Sequence, residues 1–135
     1  MKMIKIGMAF CLLFLLTSCS PKLEENIGVS EHFSTTEIQA AIDTVKLEVD
    51  NYLLVADLTE LTFDEDISQQ IITTYLPTIE TIDYTDENTI VFYSEFQTKR
   101  SSGSLDPNTH YENYYWILTQ QDNQNWQIII NGFLN

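Results

Sequence analysis

The sequence predicts an α+β domain in which an N-terminal helix covers one face of an antiparallel sheet. Three observations predict it. One amphipathic helix with a marked start opens the domain at residues 34–51. Three runs rich in aromatic and β-branched residues fill the C-terminal half. The last two of these runs are separated by five turn-forming residues, the spacing of a hairpin.

The helix is signalled by Ser34-Thr35-Thr36-Glu37, a capping box with Ser34 at N-cap and Glu37 at N3. Phe33 and Ile38 stand at the two positions of a hydrophobic staple. Ile38, Ala41, Ile42, Val45 and Val49 recur at three- and four-residue spacing and make one apolar stripe, with Glu37, Gln39, Asp43, Lys46 and Asp50 opposite. Leu58 to Phe63 reads as a short strand with Leu61 and Phe63 on one face. Ile67 to Leu76 reads as a second helix closed by Pro77, although its β-branched residues (Ile71, Ile72, Thr73, Thr74) are poor helix formers. Thr85 to Asn88 is a turn. Thr89 to Gln97 is a strand with Ile90, Phe92 and Phe96 on one face and Val91, Tyr93 and Glu95 on the other. A polar loop from Thr98 to His110 leads into a strand at 111–120, and 126–133 returns antiparallel to it.

The first residues carry a secretory signal. Lys2 and Lys5 form a basic start, and Ile6 to Leu16 is an apolar run of 11 residues, short of the ~20 that span a bilayer as a helix. Leu16-Thr17-Ser18-Cys19 then has the form of a lipobox, the site at which a diacylglyceryl thioether forms on the cysteine and cleavage leaves it first in the mature chain. The expected organisation is therefore a signal peptide at 1–18, a flexible lipid-anchored tether at 19–32 and one folded domain at 33–135. Cys19 is the lipid attachment residue, and the expected location is the cell membrane, facing outside the cytoplasm.

Cleavage before Cys19 leaves 117 of the 135 residues, enough for one core. It also leaves only Lys22, Lys46, Lys99 and Arg100 against 20 acidic residues, a formal charge of −16. Such a surface repels phosphate backbones, so nucleic acid is not an expected partner. Cys11 goes with the signal and Cys19 is acylated, so no disulfide, thiolate metal site or cysteine nucleophile is expected.

FSTTEIQAAID (33–43), TIVFYSEFQ (89–97), GSLDPNTHYENYYWIL (103–118) and WQIIINGF (126–133) resemble a family of small lipoproteins from Gram-positive gut bacteria, grouped with the NTF2-like, cystatin-like folds. The resemblance implies a curved sheet with the helix packed on it, and a surface location. It implies no activity, because none is established for the family. Relatives often carry Asp-Trp-Gly-Tyr near the end where this chain has Asn131-Gly132-Phe133.

No assembled catalytic, cofactor or metal site is expected. His32 lies in the tether. His110 stands near Asp106, Asn108 and Glu112, a sparse ligand set beside the three or four convergent ligands that metals require. Asp64-Glu65-Asp66 lacks the Gly and distal Glu of a calcium loop and reads as a solvated charge run. Ser94, His110 and Asp83 have no spacing that supports a triad. The aromatic group Tyr93, Tyr111, Tyr114, Tyr115, Trp116 and Trp126 is the main remainder, read either as sheet packing or as a pocket or exposed patch. The functional expectation is a lipid-anchored surface binding module with an unidentified protein, glycan or small-molecule partner. The alternatives are a small-molecule pocket, in which a buried Glu95 or Glu112 would act as base, and an immunity or inhibitor lipoprotein.

Overall fold

The computed structural model describes residues 22–52, 56–100, 104–121 and 125–134. The segment expected to be a signal peptide and Cys19 lie outside these residues. Among the described residues no helix is long and apolar enough to cross a membrane.

Two helices and five strands form an α+β fold: β1 (Glu24–Ile27), α1 (Thr35–Tyr52), β2 (Ala56–Phe63), α2 (Glu65–Thr74), β3 (Thr89–Thr98), β4 (His110–Gln120) and β5 (Trp126–Phe133). The strands lie in sequence order in one open sheet. β2 to β5 are antiparallel neighbours, whereas β1 runs parallel to β2 with Glu24 opposite Glu60 and Ile27 opposite Phe63. The sheet is therefore mixed, not wholly antiparallel as the sequence suggested.

β1 also changes the expected boundary. Residues 24–27, read as tether, are the first strand of the sheet. Leu23 and Ile27 pack against the main core, and Glu25 accepts hydrogen bonds from Lys46 Nζ at 2.7 Å and Gln39 Nε2 at 3.4 Å on α1. The strand ends at Gly28, whose N–H donates to Phe63 O at 3.0 Å. A Cβ at this position would stand 2.9 Å from that oxygen, so only glycine fits without a shift.

α1 starts as its capping box directs. The Ser34 N–H and hydroxyl each donate to Glu37 Oε2 at 2.8 Å, and the Glu37 N–H donates back to Ser34 Oγ at 3.3 Å. Its apolar stripe is buried: Ile38, Ala41, Ile42, Val45 and Val49 pack on Leu58, Leu61, Phe63, Ile90, Phe92, Trp116 and Leu118. Trp126 fastens the other edge by donating Nε1–H to the Glu37 carbonyl at 3.1 Å. Inside this layer the Trp116 indole donates to Ser94 Oγ at 2.9 Å, and that hydroxyl donates to Tyr114 O at 3.0 Å. These buried polar groups are thus paired with one another.

α2 packs on the opposite face. Asp64 is its N-cap, accepting from the Ile67 N–H at 3.0 Å. The first acid of the run read as solvated charge therefore has a structural task, and Glu65 and Asp66 follow in the first turn, where the helix dipole favours anions. α2 stops two residues before the expected end, and Pro77 lies in a 3-10 turn at Leu76–Thr78. Ile72 and Leu76 cover Val91 and Ile117. Ser68 Oγ accepts the Val91 N–H at 3.1 Å, at a point of β3 where β2 has already ended.

The packing yields a contrast in stability. Ile42 is fully buried, whereas Leu47 on the same helix is 62% exposed. Ile42→Ala should lower the unfolding free energy by about 2–5 kcal/mol, and Leu47→Ala should change it by less than about 0.5 kcal/mol, both read by urea unfolding.

A second outcome concerns pH. Hydrogen bonds from the Ser34 backbone and then its hydroxyl hold the Glu37 carboxyl below its ordinary 4.5. The folded-state pKa is thus the lower one, so the stabilisation is complete above the unfolded pKa and disappears as pH falls through the folded pKa. Measured by urea unfolding, the wild-type advantage over Glu37→Gln should be constant above pH 4.5 and fade below it. Glu25, held down chiefly by its hydrogen bond from Lys46, titrates equally in both proteins and cancels.

Candidate functional site

The end of the sheet formed by Ser94–Thr98, His110–Tyr115 and Phe133 is built differently from the rest. Two bulges flank Glu95. On one side Leu58 pairs with Phe96 and Glu60 with Glu95, so β2 carries one extra residue. On the other side Ser94 pairs with Tyr114 and Phe96 with Tyr111, so β4 does too. In that second bulge Asn113 has φ 57°, a left-handed conformation that Asn tolerates better than most residues.

The β4 bulge decides which aromatics meet. Residues three apart in a regular strand face opposite ways, yet Tyr111 and Tyr114 both lie on the α1 side. Tyr111 stacks on Phe96 at 5.3 Å, and Tyr114 stands edge-on to Phe96 at 5.4 Å and to Phe133 at 5.1 Å. Gly132, at φ 149°, immediately precedes Phe133. Phe96 is buried, Tyr111 and Tyr114 are half-buried, and Phe133 is 44% exposed. The Tyr114 hydroxyl donates to Asn131 Oδ1 at 3.1 Å, and Tyr111 Oη accepts the Asp106 N–H at 2.8 Å. The result is an aromatic platform with an apolar body and polar tips at its rim.

Of the aromatics singled out by the sequence, Trp116 and Trp126 are core residues. Tyr93 and Tyr115 pair across strands on the other face at 6.5 Å. Only Tyr111 and Tyr114 join the platform. Phe96 and Phe133, which complete it, were not among the sequence candidates. Asn113 inside an aromatic strand was the available signal, since a left-handed residue breaks the alternation.

On the α2 side of the same end, His110 Nε2 lies 2.9 Å from Glu95 Oε2 and 3.7 Å from Glu112 Oε1. The sequence grouped His110 with Asp106, Asn108 and Glu112. The structure keeps Glu112, adds Glu95 from the next strand, and uses Asp106 in the loop, where its carbonyl accepts from Thr98 Oγ1 at 2.6 Å. Asn108, at φ 50°, forms the turn after Pro107. The side chains of Glu95 and Glu112 are 31% and 62% exposed on an open sheet face. Neither lines the two hollows described below. His32 lies 3.5 Å from Glu65 Oε1, an oxygen with no hydrogen-bond partner among the described residues.

Two hollows accompany these features. One, of about 560 Å³, runs between α1 and β5 along Thr44, Glu48, Gln127, Ile128, Ile130 and Asn131. The other, of about 500 Å³, lies between Gly28–His32 and the start of α2. Neither is lined by Tyr or Trp. The helices lie on opposite faces of the sheet, and the space under α1 is filled by core side chains.

No family model, curated protein or solved structure matches this chain. Its chemistry is therefore read from its own residues.

Burial raises the Tyr114 phenol above its ordinary 10.0. Because the folded pKa is the higher one, the neutral phenol favours the folded state below pH 10.0, and that preference is lost as pH rises through the folded pKa. An absorbance titration of the native protein should show a late phenolate phase that Tyr114→Phe removes.

Proposed function

We propose that this protein is a lipid-anchored extracytoplasmic binding module, held to the membrane by a diacylglyceryl group on Cys19 and engaging its partner through the aromatic platform. The observation that carries the binding reading is the exposure of Phe133 beside Tyr111 and Tyr114. Aromatic and apolar area of this kind is costly to leave in water and characterises contact surfaces. The anchor is carried by the sequence Leu16-Thr17-Ser18-Cys19 behind its apolar run. Two acyl chains on one residue suffice for stable attachment, each buried CH₂ contributing about 0.8 kcal/mol.

The acidity of the chain restricts the partner. A formal charge of −14 over the whole sequence opposes nucleic acid and anionic lipid and admits neutral or cationic surfaces, such as a protein or glycan of the envelope. An immunity or inhibitor role is a special case of the same module.

The NTF2-like reading of the fold belongs to this proposal as well. It is supported by α1 packed on a sheet carrying three bulges. α2 packs on the far face of the same sheet, against Val91 and Ile117.

Detergent phase partitioning tests the anchor. The wild-type protein should enter the detergent phase with a diacylglyceryl mass on its N-terminal peptide, and Cys19→Ala should lose that mass, either keeping the uncleaved signal or moving to the aqueous phase. A Cys19→Ala protein that keeps both its partitioning and its mass would overturn it.

A further inference from the structure

The platform leaves one cluster unused. Glu95, His110 and Glu112 each present one ligand atom, and the three atoms lie within 4.8 Å of one another. We propose that they form a binding site for a borderline-soft divalent cation of the Zn²⁺ class.

The donor set fits that ion. Zn²⁺ takes imidazole nitrogen at 2.0–2.1 Å and carboxylate oxygen at 2.0–2.2 Å, so tetrahedral coordination sets ligand atoms about 3.3 Å apart. The observed separations from His110 Nε2, 2.9 and 3.7 Å, straddle that value, and rotamer adjustments of a few tenths of an ångström would equalise them. Three protein ligands leave a fourth position open to solvent. That is the form of a site which accepts water or a ligand, in contrast to a closed structural site. The imidazole selects against Mg²⁺ and Ca²⁺, which prefer all-oxygen shells.

The charge around the cluster favours a cation. Glu60 stands directly opposite Glu95 across β2 and β3, and like charges in that relation repel. Among the described residues Glu60 Oε1 accepts from the neutral Thr62 hydroxyl at 2.8 Å and Asn26 amide at 3.3 Å. Among the described residues the lysine ion pairs are Lys46 with Glu25 and Lys99 with Asp57, and the partner seen for Glu95 and Glu112 is the imidazole of His110. A bound Zn²⁺ would neutralise both carboxylates and relieve the Glu60–Glu95 repulsion.

The backbone supplies the convergence. His110 and Glu112 are two apart on β4 and share a face, and the Glu112–Asn113 bulge faces Glu95. Bulges re-aim side chains in this way next to functional sites.

The test is a Zn²⁺ titration of the full chain purified in detergent, read by calorimetry and by metal content after gel filtration. The expected result is one saturable Zn²⁺ per chain that a large excess of Mg²⁺ does not displace. His110→Gln and Glu112→Gln should each weaken it by at least about tenfold, since even outer-shell changes cost that much. His32→Gln, which alters the other imidazole beside a carboxylate, should leave it unchanged. Both altered positions are exposed, and metal-free thermal unfolding of each variant should match wild type. Absence of a saturable site, or a site that persists in His110→Gln, would overturn the proposal.

Discussion

The structure depends on β3 being buried on both faces where it begins. Thr89, Ile90, Val91 and Phe92 are all inaccessible, so alternation cannot give this stretch a wet side, and a cover is required on each face. α1 covers Ile90 and Phe92, and α2 with the following turn covers Val91. Two polar contacts hold the arrangement in register. Ser68 takes the Val91 N–H that β2 is too short to reach, and Ser94 links the Trp116 indole to the β4 backbone. Replacing either serine by an apolar residue would leave a buried donor unpaired, at a cost of about 1–3 kcal/mol.

The same constraint leaves part of the sheet free. The ten residues of α2 rise about 15 Å, whereas the ten of β3 extend about 33 Å. α2 therefore covers less than half the strand, and beyond Tyr93 that face carries Glu60, Glu95, His110 and Glu112. On the α1 side the same end carries Phe96, Tyr111, Tyr114 and Phe133. The one uncovered end of the sheet thus has an aromatic side and an acidic, imidazole-bearing side. The bulges beside Glu95 create both, because the extra residue in β4 keeps Tyr111 and Tyr114 together while His110 and Glu112 face the other way.

Much of the fold was legible because its signals are local. The capping box, the stripe of α1 and the aromatic strands are written within windows of ten to eighteen residues and form as read, and β4 and β5 pair antiparallel as expected. Residues 122–124 of the turn between them lie outside the described residues. β1 was not legible, because four residues with one apolar side chain, EENI, become a strand only through parallel pairing with residues some 36 positions away. In α2 the β-branched Ile71, Ile72, Thr73 and Thr74 oppose the helix. Its Asp64 cap and the burial of Ile72 against Val91 outweigh their weak propensity. The site was the least legible part. Glu95 and His110 are fifteen residues apart, and their meeting depends on a register set by two bulges. A period-two reading also separates Tyr111 from Tyr114, which the fold unites. The lipobox proposed at Leu16-Thr17-Ser18-Cys19 rests on sequence alone and lies outside the described residues.

The proposed contact surface is this uncovered end of the sheet. Site-specific photocrosslinking in intact cells tests it most directly, with the photoreactive residue placed at Phe133 and, for comparison, at exposed Gln70 on α2. A discrete envelope component crosslinked from position 133 and absent from position 70 is the predicted result. No adduct at 133, or the same adducts from both positions, would contradict it.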